Sequence, residues 1–315
     1  MARVYENLAA MEDAPPEGRV VAIGVFDGVH IGHQRIVGRT VEAARERSAR
    51  ATSVTFHPHP DVVLRPRSAP RSLTTAERKA ELLVGLGLDE VVIVEFDREF
   101  ARLSAEAFCS TVLSERLNTK MVFVGENFRF GRGGSGGSAE LVEYGRSHGF
   151  SVRAVPLVQK SGKPVSSTRI RALLGSGKVR EAARLLGRPH RLEGPVTKGA
   201  GRGRTLNAPT ANVAVAQEMT LPRPGVYVTR TAVDGEESYP SVTSVGTNPT
   251  FEKTEVVRVE TLLLDCEMDL YGAKVAVDFL DRIRGQRAFA DASALSRQIA
   301  LDVSVAREAH MKEWS

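Results

Sequence analysis

The run Gly24-Val25-Phe26-Asp27-Gly28-Val29-His30-Ile31-Gly32-His33 constrains this chain more than any other stretch, because of what flanks it. Before it, Arg19-Val20-Val21-Ala22-Ile23 reads as a short buried strand; after it, Gln34 to Arg47 carries apolar residues at helical spacing. The run is therefore a strand-to-helix turn. Such a turn aims unpaired backbone N–H groups and the positive end of a helix dipole at whatever lies above the strand, an arrangement that favours phosphate. Its glycines let the backbone approach a ligand, and His30 and His33, one helical turn apart, can both donate to phosphate oxygens. A His pair alone reads equally as the first turn of a capped helix without a ligand. Within Phe-Asp-Gly-Val-His-x-Gly-His the polyphosphate reading is the stronger.

Four further apolar segments follow: Ala51 to Phe56, Glu90 to Glu95, Lys120 to Val124 and Ser151 to Val155. Helical patterns alternate with them over Thr75 to Leu86, Ser104 to Leu117 and Ser138 to His148. Short β-branched strands apolar on both faces, separated by helices, predict a doubly wound α/β parallel sheet whose ligands bind at the carboxyl ends of its strands.

Three features fall at those ends. In Phe56-His57-Pro58-His59-Pro60 the prolines predict an extended wall; its His-x-His pair raises zinc but lacks acidic or thiol partners. Gly125-Glu126-Asn127-Phe128-Arg129-Phe130-Gly131 leads into a glycine-rich loop where Gly131, Gly133 and Gly136 match Gly-x-Gly-x-x-Gly by chance, since the loop does not follow the first strand. Lys163 to Arg171 holds Ser166-Ser167-Thr168 at the start of a helix, a plain cap or an anion site. Gly175-Ser176-Gly177-Lys178 is a P-loop decoy that reads as a turn between helices. The helix Val179 to Leu186 stops at Gly187 with Pro189 beyond, dividing the chain into residues 1–186 and 187–315.

From His190 the pattern becomes alternating strands: Arg191 to Thr197, Thr210 to Val215, Gly225 to Val233, Tyr239 to Val245, Glu255 to Leu264 and Lys274 to Leu280. A small closed antiparallel β-barrel with one helix from Asp291 to Lys312 is expected. Composition agrees with two cores, at 315 residues, 42% hydrophobic and 26% charged. The net charge of +5 is spread along the chain, which suits polyanionic small substrates as well as nucleic acid. Cys109 and Cys266 lack metal-ligand spacing and read as structural or incidental thiols. With no signal-peptide pattern and no run of about 18 apolar residues, a cytoplasmic protein is expected.

The string Gly-Val-Phe-Asp-Gly-Val-His-x-Gly-His-Gln resembles that of bacterial bifunctional riboflavin kinase/FMN adenylyltransferases, also called FAD synthetases. The likeness extends through Ser166-Ser167-Thr168-x-x-Arg171, Gly199-x-Gly201-x-Gly203, Pro209-Thr210-Ala211-Asn212, Ser244 to Phe251, and Glu260 through Leu270-Tyr271-Gly272. It implies a nucleotidylyltransferase-like first domain and a riboflavin kinase-like second one. In the first, Gly24, Phe26, Asp27, Gly28, Gly32, Ser166, Ser167 and Thr168 would bind nucleotide, with His30, His33 and Arg171 acting on the triphosphate. Asn127, Phe128, Phe130, His57 and Pro58 would meet flavin, although the two phenylalanines can equally be core. In the second, Gly199, Gly201 and Gly203 would cradle ATP, Thr210 and Asn212 would hold Mg²⁺, and Glu260 would be the catalytic base rather than a solvent-facing strand carboxylate. The implied molecules are ATP, Mg²⁺, riboflavin, FMN and FAD, handled by a monomer or weak homo-oligomer without nucleic acid or membrane.

Two departures stand out. His57 replaces a residue that is often acidic in the family, and Asn207-Ala208 replaces Gly followed by a large apolar residue, which predicts a kinase step weaker than adenylyl transfer. Rival readings are an adenylyltransferase with an impaired kinase module and a flavin- or nucleic-acid-binding regulator without turnover.

Overall fold

The computed structural model describes residues 2–11, 14–197, 210–235, 238–246, 257–266, 268 and 270–313. They belong to two compact units, Met1–Ser167 and Thr168–Ser315.

The first unit is built on strands β1 (Arg3–Tyr5), β2 (Arg19–Ile23), β3 (Arg50–His57), β4 (Glu90–Glu95), β5 (Thr119–Gly125) and β6 (Ser151–Val155). They form one sheet in the order β1-β4-β3-β2-β5-β6 with every neighbouring pair parallel. Its helices are α1 (Ile31–Glu46), α2 (Pro60–Leu64), α3 (Ala76–Val84), α4 (Ala105–Ala107, continuing in wide π turns over Phe108–Arg116) and α5 (Ser138–His148). Alternate residues of β2 feed the two faces. Val21 and Ile23 pack with Val54, Val92 and Val122, whereas Val20 and Ala22 pack with Val37, Ala43 and Ala44 of α1.

Three details depart from the pattern. The three-residue β1 is too short for periodicity to reveal. Strand β6, expected to be covered on both faces, is an edge strand that exposes Ser151, Arg153 and Ala154. The prolines after β3 do not keep the chain out of a helix: Pro60 opens α2, where a missing N–H leaves no bond unmade, and His59 caps it. A short hairpin, β7 (Gln159–Lys160) with β8 (Lys163–Pro164), completes the unit.

At the amino ends of the strands, Arg19 and Glu90 form a wholly buried ion pair at 2.6 Å, with Arg50 and Thr52 also donating to Glu90 at 2.9 Å each. Burial pushes the Glu90 carboxyl up, but these donors and the Arg19 charge bring it below its usual value.

Next come α6 (Ser167–Gly175) and α7 (Val179–Leu186), followed by β9 (His190–Thr197), β10 (Ala211–Val213), β11 (Gly225–Val233), β12 (Ser238–Gly246), β13 (Arg258–Leu263), β14 (Lys274–Gly285) and α8 (Ala292–Glu313). The six strands close an antiparallel barrel in the order β10-β13-β12-β11-β14-β9. Because α7 packs on β9 and β14, compactness divides the chain inside α6, while the change from helical to strand pattern falls near residue 187. Gly177 turns between α6 and α7 at φ +80°, and a Cβ there would lie 2.7 Å from Arg282 Cδ. The decoy glycine therefore serves packing.

One face of the barrel wall carries a buried hydroxyl ladder in which Thr229, Thr231, Ser241, Thr243 and Thr261 bond one another. The other face sets Val226, Val228 and Val242 against Ala306 of α8. Helix α8 is fastened by the Arg284–Asp302 pair at 2.7 Å and by His310 Nε2, which donates to the Thr229 carbonyl at 3.0 Å where β14 carries an extra residue opposite β11.

Candidate active site

Strand order reverses at β2. Strands β3 and β4 lie to one side of it and β5 and β6 to the other, so the carboxyl ends of β2 and β5 flank the switch point where such sheets bind ligands. The Gly24–His33 turn leaves β2 and Asn127 follows β5, bringing the two features together.

The turn is held in an improbable shape. Phe26, Gly28 and Val29 have φ of 50°, 79° and 40°, in the left-handed region that bulky and β-branched residues avoid at a cost of about 1–3 kcal/mol each. Surrounding bonds enforce it. The Val25 carbonyl accepts from Thr55 Oγ1 at 2.9 Å and Lys79 Nζ at 3.2 Å. The Asp27 carboxylate accepts from the Leu73 N–H, and its carbonyl accepts from Ser167 Oγ, both at 2.8 Å. Gly28 N–H points at Thr74 Oγ1, 3.4 Å away. The Phe26 ring is wholly buried, and the Asp27 carboxylate ties the turn to residue 73.

His30 is the N-cap of α1, its Nδ1 accepting from the His33 N–H at 3.3 Å, which leaves the proton on Nε2. A Cβ on Gly32 would stand 3.1 Å from His30 Cε1, so the central glycine of the motif makes room for the ring. The His33 ring stacks on His30 with centroids 3.6 Å apart and meets Phe26 edge-on. Burial, then His30 and Lys79, hold the His33 pKa well below its usual value, so both partners cannot be cations at neutral pH. His33 Nδ1 is buried and has no partner among the described residues. No acidic residue occupies the first turn of α1. Local positive charge comes instead from Lys79, a residue the sequence reading missed. It lies on the buried stripe of α3 with Ala80 and Leu83, a lysine where the helical period calls for an apolar side chain. Burial lowers its pKa to about 8 against the pull of Asp27.

Around this turn, a Cβ on Gly125 would lie 3.1 Å from Asn127 Oδ1 and 3.8 Å from Ile36 of α1, placing the amide over the end of β5. The aromatic pair divides. Phe130 is core, packed on Phe108, while half-buried Phe128 stacks on Phe130 at 5.7 Å and keeps the flavin-contact reading. His57 is exposed at the end of β3, with half-buried Pro58 following through a cis bond. His59 accepts from Asp61 N–H at 3.1 Å, and among the described residues no three His, Cys, Asp or Glu side chains converge as a metal site. The glycine-rich loop folds on itself through the Phe130–Gly136 bridge and Arg129 Nε donating to the Gly134 carbonyl at 3.0 Å. Ser166 and Ser167 are half-buried and Thr168 is exposed; Arg171, four residues after Ser167, shares its face of α6.

In the barrel, Glu260 of β13 stands directly opposite Asn212 of β10 and Ser244 of β12. It is half-buried, whereas its neighbours Val259 and Thr261 are buried on the opposite face. Thr210 immediately precedes β10. Gly199, Gly201, Gly203 and Asn207-Ala208 lie outside the described residues.

A family model described as FAD synthetase matches residues 12–169 and one described as riboflavin kinase matches residues 186–310. The chain is similar to the bifunctional riboflavin kinase/FMN adenylyltransferase of Escherichia coli (strain K12), 37% identical over 306 residues and 97% of each chain. It is also similar to that of Bacillus subtilis (strain 168), 34% identical over 286 residues and 90% of each chain. A crystal structure described as a macrolide-efflux protein from Streptococcus pneumoniae shares the fold at TM-score 0.85 and 32% identity, over 97% of this chain and 98% of that one. Among the described residues no helix is long and apolar enough to cross a membrane. Two family models in series, each on the half whose fold and motifs fit it, leave the impaired-kinase and regulator readings without support, and the chain belongs to the bifunctional riboflavin kinase/FMN adenylyltransferase family.

Proposed function

We propose that this chain makes FMN from riboflavin and ATP in residues 187–315 and FAD from FMN and ATP in residues 1–186, in the cytoplasm, as a monomer or weak homo-oligomer acting on small molecules. The observation that carries the first half is the start of α1, capped by His30 with the His33 ring stacked on it and with no acidic residue in its first turn. A polyphosphate there would accept from the first-turn N–H groups and from the Nε2–H of His30.

The two reactions ask for different groups. In adenylyl transfer the FMN phosphate is already an anion that attacks the α-phosphorus of ATP, so no general base is needed; positioning and charge screening as pyrophosphate leaves do the work. His30, the α1 N–H groups, Asn127, Ser166, Ser167, Thr168 and Arg171 supply them. Riboflavin offers a neutral 5′-hydroxyl, whose proton Glu260 accepts as the γ-phosphoryl group transfers. The neutral oxygens of Asn212, opposite that carboxylate, and of Thr210, two residues earlier, suit the hard-oxygen preference of Mg²⁺, which would neutralise phosphate charge there. Half-buried Phe128 and the end of β3 at His57 and Pro58 frame the flavin in the first site.

Chromatography of reactions started from riboflavin or from FMN, each with ATP and Mg²⁺, tests the proposal. FMN followed by FAD is expected from riboflavin and FAD alone from FMN. Absence of both products from the folded chain contradicts it.

A further inference from the structure

Lys79 is 6% exposed, a burial rarely seen for lysine. Its Nζ donates to the carbonyls of Phe56 at 2.9 Å and Val25 at 3.2 Å. These acceptors belong to different elements. Phe56 sits near the end of β3, while Val25 is the second residue of the turn after β2, immediately before the first left-handed residue, Phe26. The titratable groups facing the ammonium are Asp27 from the turn, whose carboxylate attracts it, and His33 from α1, which burial and the neighbouring charges hold neutral.

A methionine would fill the same space without desolvating a charge, but it would take this donor from the Phe56 and Val25 carbonyls and one external bond from the turn. What the ammonium adds is a clamp. It joins the carboxyl ends of two neighbouring strands directly beneath a turn whose backbone is unfavourable without external bonds. Thr55, Leu73, Thr74 and Ser167 hold the same turn from other sides, but none of them brings a positive charge to the phosphate-facing end of the sheet.

We propose that Lys79 is a positioning residue for adenylyl transfer: by tying the Val25 and Phe56 carbonyls together it fixes the left-handed turn that sets His30 and the first N–H groups of α1 against the ATP phosphates. The inference rests on the adenylyltransferase reading of the first unit. A turn that relaxes by about 1 Å loses transition-state contacts more than ground-state binding, so the effect belongs in kcat.

Lys79→Met in the full chain tests this, with riboflavin phosphorylation by the same molecule as the control for folding. The kcat for FAD formation from FMN is expected to fall about 100-fold, with KM for ATP changed less than about fivefold and FMN formation within about twofold of wild type. A folded variant that loses less than about tenfold in kcat, or whose loss lies in KM alone, overturns the proposal. Should the variant lose FMN formation as well, the wild-type pH profile decides. A decline in kcat/KM for FAD formation above about pH 8, absent from FMN formation, supports Lys79; a level profile for both steps overturns it. A wild type inert towards FMN but active on riboflavin instead removes the adenylyltransferase assignment, a result the variant cannot produce.

Discussion

Gly32 separates two requirements that the His-x-Gly-His motif joins. As an early helical residue it would gain stability from a side chain, since glycine costs a helix about 1 kcal/mol relative to alanine. As the floor beneath the His30 ring it admits one only if the ring gives way by a few tenths of an ångström, the added Cβ standing 3.1 Å from Cε1. Gly32→Ala is therefore expected to leave the melting temperature unchanged or raised while FAD formation drops about tenfold through displacement of His30. Wild-type FAD formation in that variant contradicts the placement of the ring. The two phenylalanines make a matching pair of expectations. Phe130→Ala removes a core ring and should cost about 3–5 kcal/mol in denaturant titrations, whereas Phe128→Ala should mainly raise KM for FMN. Equal destabilisation by both would remove Phe128 from the site. The motif residues were legible because their chemistry is unusual for a turn. The left-handed conformations of Phe26 and Val29 were not, because aromatic and β-branched residues by themselves favour extended backbone.

Among the elements, strands and helices with a strong period stood where the sequence put them, and the misses share a cause. Helix α2 begins at a proline that also reads as a helix breaker, and the choice depends on whether the residue falls at the first turn. Strand β6 carries the composition of its neighbours, and only its place in the sheet order makes it an edge. Lys79 interrupts the apolar stripe of α3, a signal visible in sequence yet readable only once the stripe was known to face the β2 turn. The turn between α6 and α7 yields a discriminating prediction. Gly177→Ala must adopt φ +80° and meets Arg282, so the unfolding free energy should fall by about 1–3 kcal/mol with ATP affinity unchanged. Unchanged stability with weakened ATP binding would return the glycine to a phosphate loop.

Across the whole molecule, acid should be harder on the barrel than its exposed charges suggest. Burial lowers the His190 pKa to about 4, even though its ring bonds the Thr220 carbonyl. The unfolded chain binds that proton near pH 6.5, so between the two values the unfolded state holds more protons and stability falls as pH drops. Roughly 3 kcal/mol is at stake over this window, and urea titrations at several pH values should show a shallower decline in His190→Gln. An identical decline in both proteins assigns the acid sensitivity to other groups.

The central claim is that two separate centres on one chain act in sequence, and mixing two variants tests it most directly. His30→Ala supplied with riboflavin, ATP and Mg²⁺ should stop at FMN. Glu260→Gln should leave riboflavin untouched yet convert added FMN to FAD. Combined in one tube, the two should make FAD from riboflavin, the first releasing FMN that the second adenylylates. Loss of both activities in either folded variant, or no FAD from the mixture, would contradict the assignment of the two chemistries to two sites.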